Sequence, residues 1–222
     1  MVWGCSLLVF AESDPPSQDW PNLAKYRQAN QNLPAPGPGE TRVVFMGDSI
    51  TEIWGQTEFF SRKASYVNRG ISGQTTPQML VRFRQDVVGL KPKAVVLLAG
   101  INDIAENTGK TTLEAIEGNL ASMCEIARAN GIRVVLCSVL PASKFSWRPD
   151  IVEPASKVRA LNAWIQHYAE ENTAVYVDYY SSLVDDKGGL KAELGPDGVH
   201  PNRAGYDLMA PLVQAGIEQA TR

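Results

Sequence analysis

Ser49 stands just past the apolar, β-branched run Val43–Met46, inside Gly47-Asp48-Ser49-Ile50-Thr51. A serine that leaves a strand at the start of a helix is placed to be a nucleophile, but its free hydroxyl is weak and needs a base to take its proton. The helix N-terminus beside it supplies N–H groups that can hold a developing oxyanion. The same residues also read as a capping turn, since Asp and Ser are good N-caps.

The chain has only two histidines to offer as that base. His200 lies in Gly195-Pro196-Asp197-Gly198-Val199-His200-Pro201, a loop ahead of the last helical pattern. An Asp three residues before a His on a tight loop can turn back to the imidazole, fix its tautomer and stabilise the imidazolium. The plainer alternative is an Asx turn at Asp197 with a polar surface His. His167 falls off the centre of the helical face Val158, Leu161, Ile165, Tyr168 and reads as a solvated helix residue.

Acyl transfer also needs donors for an oxyanion. Asn102, in Gly100-Ile101-Asn102-Asp103 after the apolar run Ala94–Ala99, carries an amide that can donate. Gly73, in Arg69-Gly70-Ile71-Ser72-Gly73, can offer its backbone N–H, and lets a ligand approach the main chain closely. Asn and Gly favour such loops even where they do no chemistry. Metal chemistry has little to work with: Cys5, Cys124 and Cys137 show no C-x-x-C spacing, and the last two sit in apolar segments as small hydrophobes. A His-rich or Cys-rich metal site is not expected. A net charge of −3 provides no positive field for nucleic acid.

These residues must be positioned by alternating strands and helices. Apolar runs at Val43–Met46, Tyr66–Asn68, Ala94–Ala99, Ile132–Ser138 and Ala174–Asp178 lack strict alternation, as strands covered on both faces do. Helical faces are formed by Leu113, Ile116, Leu120, Met123, Ala127, by the Val158 set, and by Tyr206, Met209, Val213, Ile217, Ala220. Pro77 suits the first turn of a helix over Thr75–Leu90, Gly131 a helix stop, and Leu23–Asn30 a short helix. Five strands with intervening helices predict an α/β, doubly wound, flavodoxin-like five-stranded parallel sheet, whose functional loops lie at the strands' C-terminal ends.

Gly47-Asp48-Ser49-Ile50, Gly73, Gly100-Ile101-Asn102-Asp103 and Asp197-Gly198-Val199-His200, in that order, resemble the GDSL or SGNH hydrolase family. Ile50 stands where the family's name has Leu, a conservative variation. The resemblance spans residues 43 to 218 and implies a three-layer α/β/α sandwich acting through an acyl-enzyme, without metal or cofactor. It implies Ser49 as nucleophile, His200 as general base and Asp197 as its partner. The oxyanion hole would be the N–H of Ser49, the N–H of Gly73 and the side chain of Asn102. Ser49 is not set in G-x-S-x-G, so the common α/β-hydrolase arrangement is disfavoured.

Substrate preference is read from candidate rim residues: Asp48, Trp54, and Phe145, Trp147 and Arg148 in the long segment Val139–Glu153. No long apolar lid is visible, and aromatic residues make up 8% of the chain. Within the family, the arrangement resembles the small single-domain esterases, including the platelet-activating-factor acetylhydrolase-like and carbohydrate-acetyl-esterase-like ones. The expected partner is therefore a small short-chain, acetyl-type ester, with acetylated carbohydrate a candidate. A lysophospholipase or thioesterase is the alternative within the family. A non-catalytic carbohydrate-binding module and a flavin or nucleotide binder are the alternatives from other classes.

Two regions are expected: an arm over residues 1–40, with a linker at Leu33–Glu40, and the hydrolase domain over 41–222. Val2–Ala11 is a short apolar run, with Val9 and Ala11 suiting a signal-peptidase site, but lacks a basic n-region. It reads as an export signal, placing the protein in the periplasm or outside the cell, or as a plain apolar arm on a cytoplasmic one. No run is long enough for stable membrane insertion.

Overall fold

The computed structural model describes residues 19–222. Cys5 and the export-signal expectation for Val2–Ala11 lie outside the described residues. Along the chain come α1 (Arg27–Asn32), β1 (Val43–Gly47), α2 (Ser49–Trp54), α3 (Glu58–Ser61), β2 (Tyr66–Gly70) and α4 (Thr76–Asp86). A 3-10 turn at Val88–Leu90 leads to β3 (Ala94–Leu98), α5 (Ile101–Ile104), α6 (Leu113–Ala129) and β4 (Arg133–Cys137). The chain then forms α7 (Pro154–Glu171), β5 (Val175–Val177), α8 (Tyr180–Leu183) and α9 (Arg203–Thr221).

The strands form one parallel sheet in the order β2-β1-β3-β4-β5. This is the flavodoxin-like order. Helices α4, α6 and α7 pack together on one face, and α2 and α9 cover the other. Every residue of β1 and β3 is buried, which is why these strands read as unbroken apolar runs. Cys124 and Cys137 are buried as well, and desolvation lifts both thiols to about 12. They pack as inert hydrophobes. Among the described residues, no helix is long and apolar enough to cross a membrane, and no cluster of His, Cys, Asp and Glu could hold a metal ion.

Helix ends follow local chemistry. Thr75 and Gln78 form a reciprocal capping box on α4, with Pro77 in its first turn. Thr112 caps α6 and Asn202 caps α9 through their side-chain oxygens. The first helix is shorter and later than the expected Leu23–Asn30, because the Asp19 carboxylate takes the N–H groups of Leu23 and Ala24 and winds that stretch into turns. Residues 19–40 form a strap against the body: Gln74, Gln78 and Gln85 donate to the carbonyls of Pro21, Trp20 and Leu23, while Asn30 bonds Arg69 and Asp86.

Candidate active site

The sheet order reverses at β1, so the crevice between the C-terminal ends of β1 and β3 is the natural ligand site of this fold. Ser49 opens α2 there, and Asn102 lies in the first turn of α5, just past β3. The turn into α2 is tight. A Cβ on Gly47 would sit 2.1 Å from Thr51 Oγ1 and 2.8 Å from the Leu98 carbonyl, and one on Gly70 would sit 2.2 Å from Glu52 N. Only glycines let α2 start this close to three strand ends.

Ser49 Oγ lies 2.8 Å from His200 Nε2, and His200 Nδ1 lies 2.6 Å from Asp197 Oδ2. The other Asp197 oxygen accepts the N–H groups of Val199 and His200 at 2.9 and 2.8 Å. Partial burial pulls the Asp197 pKa up, but hydrogen bonds from the His200 N–H, the His200 ring and the Val199 N–H outweigh it, so the carboxyl is held below the usual range. An ionised carboxylate can only accept at this distance, so Asp197 favours the tautomer with its proton on Nδ1, which turns the Nε2 lone pair toward the Ser49 hydroxyl. His167 stands apart on α7, exposed and 3.4 Å from Glu171.

An open cleft of about 370 Å³ is lined by Ser49, Ile53, Gly73, Asn102, Trp147 and His200, together with Ser72 and Asn107. Gly73 adopts φ +75°, and a Cβ there would meet nothing within 4 Å; the backbone conformation, not crowding, calls for glycine. The Asn102 amide donates to the Gln74 carbonyl at 3.1 Å and accepts from Asn107 at 2.8 Å. A larger groove, about 860 Å³, lies at the opposite ends of β1 and β2, around Arg42, Lys63 and Tyr66, away from the Ser–His pair.

Of the expected rim residues, Trp147 alone lines the cleft, 41% exposed. Trp54 is 2% exposed and stacks between Phe59 and Tyr206, with ring centroids 4.9 and 5.5 Å away. It faces the core because α2 turns its apolar side inward. Phe145 is buried and backs Trp147 at 5.2 Å. Arg148 ties the β4–α7 loop to the Ala105 and Glu106 carbonyls at 2.9 and 2.8 Å and does not reach the cleft. Asp48 lies behind Ser49: Oδ1 caps Ile50 N at 2.9 Å, and Oδ2 is buried without a hydrogen-bond partner among the described residues. Burial pushes its carboxyl up to about 7.

Sequence reasoning missed Ile53, Ser72 and Asn107, which carry no motif. It also missed Arg82. This fully buried guanidinium donates to the Gly47 and Arg69 carbonyls, to Gln74 and to Asp86, tying the ends of β1 and β2 to the Gly73 loop. An Arg on the apolar face of α4, between Met79 and Phe83 and four residues before Asp86, was the available signal. Asp103 forms a second clamp: it accepts the Thr76 N–H and hydroxyl, joining α5 to the start of α4.

The chain is similar to known proteins in sequence and fold. A GDSL-like lipase from Bacteroides thetaiotaomicron VPI-5482 superposes with a TM-score of 0.88 at 46% identity, covering 90% of this chain and 98% of that one. An isoamyl acetate-hydrolyzing esterase 1 homolog of Bos taurus is 28% identical over 206 residues, 79% of this chain and 82% of its own. An acetylxylan esterase of Geobacillus stearothermophilus is 24% identical over 207 residues, 78% of this chain and 92% of its own. Residues 45–208 match the GDSL-like lipase/acylhydrolase family, and the chain belongs to it.

Proposed function

We propose that the protein is a serine esterase that hydrolyses short-chain, acetyl-type carboxylic esters through an acyl-enzyme, with acetylated carbohydrate as a natural substrate class. The observation that carries this reading is the continuous Ser49–His200–Asp197 hydrogen-bond chain opening on the cleft. Ser49 Oγ attacks the ester carbonyl as His200 Nε2 takes its proton. The N–H groups of Ser49 and Gly73 and the Asn102 amide receive the oxyanion. The imidazolium returns its proton to the leaving alcohol, and water, deprotonated by the same imidazole, releases the acid and frees Ser49.

The size of the cleft supports a small acyl group. About 370 Å³ is near the low end for ligand sites and must accept both halves of the ester. The acetylxylan and isoamyl acetate activities named for the relatives point the same way.

The test is a panel of p-nitrophenyl esters from acetate to dodecanoate, acetylated xylo-oligosaccharides and a lysophospholipid, run on wild type and Ser49→Ala. Acetate is expected to turn over fastest, with steep losses beyond about six acyl carbons, and Ser49→Ala to be inactive with its circular dichroism unchanged. Faster turnover of dodecanoate or of the lysophospholipid would favour the lysophospholipase reading. Sugar binding without turnover would favour a binding module. Full activity in Ser49→Ala would overturn the nucleophile.

A further inference from the structure

Asn102, whose amide the proposed function places in the oxyanion hole, is the inner end of a hydrogen-bond chain that reaches the surface. Trp147 Nε1 donates to Asn107 Oδ1 at 3.0 Å, and Asn107 Nδ2 donates to Asn102 Oδ1 at 2.8 Å. Asn102 Nδ2 in turn donates to the Gln74 carbonyl at 3.1 Å. A primary amide has two N–H groups, so this leaves one on Asn102 for the cleft that it lines.

An asparagine amide can face either way with little change in shape, but the two orientations are opposite in chemistry. A flipped Asn102 would present its oxygen to a developing oxyanion and repel it. Both ends of the chain oppose that flip. An indole N–H can only donate and a carbonyl can only accept, so every bond between them must run in one direction. If Asn107 alone flipped, its NH2 would meet the indole N–H and its oxygen would meet Asn102 Oδ1.

The backbone is built to hold this chain. Asn107 N donates to the Asn102 carbonyl at 3.0 Å, and Glu106 takes φ +55° to turn the loop back over α5. Arg148, next to Trp147, holds the same loop by the Ala105 and Glu106 carbonyls. The β4–α7 loop is thus fastened to the α5 loop at two points.

We propose that Asn107 and Trp147 are positioning residues that set the polarity of the Asn102 amide, so that the wall of the cleft also orients its oxyanion donor. The inference rests on the esterase reading and on Asn102 being a donor in the hole. It predicts an inverted order of variants. Asn107→Asp nearly preserves shape and still accepts from Trp147, but it sets a carboxylate oxygen against Asn102 Oδ1. It therefore penalises the productive orientation, whereas Asn107→Ala only stops enforcing it.

The experiment measures kcat and KM for p-nitrophenyl acetate in Asn102→Ala, Asn107→Ala, Asn107→Asp and Trp147→Phe, and in Asn107→Asp combined with Asn102→Ala. Asn102→Ala is expected to lose about 10²–10³ in kcat. Asn107→Asp should lose more than Asn107→Ala, with KM within about twofold, and should lose less in the Asn102→Ala background than in wild type, where only its repulsion of the Gly73 carbonyl at 3.4 Å and of the oxyanion remains. Trp147→Phe, which keeps an aromatic wall and removes the N–H, should lose a smaller factor in kcat. Asn107 is exposed, so its variants are expected to fold, as circular dichroism would check.

If Asn102→Ala loses kcat while Asn107→Asp performs as well as or better than Asn107→Ala, the polarity role is overturned and the esterase reading stands. If Asn102→Ala itself keeps full kcat, the oxyanion assignment fails and the inference fails with it. Should Asn107→Asp not fold, an unchanged kcat in Trp147→Phe would be enough to overturn the role.

Discussion

The Tyr206 hydroxyl donates to the Ile50 carbonyl at 2.8 Å in the buried interior. The bond joins α9, which begins three residues after His200, to the first turn of α2, which begins at Ser49. The ring also stacks on Trp54. The proposed base and nucleophile, 151 positions apart in sequence, therefore share a fixed point behind the cleft. Tyr206→Phe keeps the stack and removes the tie. It is expected to cost about 1 kcal/mol of stability in urea unfolding. The kcat for p-nitrophenyl acetate should fall several-fold with KM nearly unchanged. Loss of stability with unchanged kcat would show that the bond holds the fold and not the Ser49–His200 geometry.

Asp197→Asn separates orientation from charge. The amide oxygen can still accept the Val199 and His200 N–H groups that shape the turn, while its NH2 faces His200 Nδ1 and selects the wrong tautomer. A loss in kcat of about 10²–10⁴ is expected, with little change in unfolding temperature. The carboxyl's folded pKa is depressed, so its contribution to stability is present above the ordinary aspartate value of 3.8 and is lost as pH falls through the folded value. The variant should therefore lack part of the acid-limb slope seen in wild type. Equal kcat in the two proteins would remove Asp197 from the mechanism.

The buried half of the molecule was legible in sequence because burial on both faces writes itself as apolar runs. β1 and β3 fell where Val43–Met46 and Ala94–Ala99 indicated, and Gly131 ends α6 with φ +70°. The motif residues were legible because tight turns admit few residue types, as the 2.1 Å clearance at Gly47 illustrates. The cleft wall was not legible in the same way. An aromatic residue in a loop reads alike whether it packs inward, as Phe145 does, or outward, as Trp147 does. Trp54 shares a six-residue helix with Ser49, and only the three-dimensional packing of α2 shows that it points to the core. The bonds of Asn107 to Trp147 and of Arg82 to the Gly47 carbonyl join residues 40 and 35 positions apart, and single residue types do not announce such partners.

Arg82 tests how far the loops of the proposed active site depend on a charge beneath them. Arg82→Met fills similar volume but abandons the Gly47 and Arg69 carbonyls and leaves Asp86 without its guanidinium partner. Breaking a buried pair from one side costs about 3–5 kcal/mol. Urea unfolding of Arg82→Met is expected to fall in that range, and adding Asp86→Asn, which removes the stranded charge while keeping an acceptor for Asn30, should recover part of it. A loss under about 1 kcal/mol would mean that water replaces the guanidinium.

Asp48 gives the protein a stability component with the opposite pH sign to Asp197. Its buried carboxyl is pushed from the ordinary 3.8 up to about 7 by desolvation, with Asp103 pushing in the same direction and the Ile50 N–H and His200 opposing. The folded state therefore holds a proton that the unfolded chain releases. The contribution is fully present below about pH 4, declines as pH rises and is gone above about pH 7. Asp48→Asn cannot titrate, and the fixed cost of its unpartnered NH2 is the same at every pH. Relative to wild type, the variant should gain stability between pH 4 and 7 by up to about 1.4 kcal/mol per pH unit, and stay level above pH 8. Urea midpoints at half-unit pH steps would show this as a variant-minus-wild-type difference that starts at the fixed cost in acid, rises from pH 4 to 7 and then levels off. Curves that remain parallel from pH 4 to 8 would mean that Asp48 is ionised throughout and that its buried oxygen has a partner.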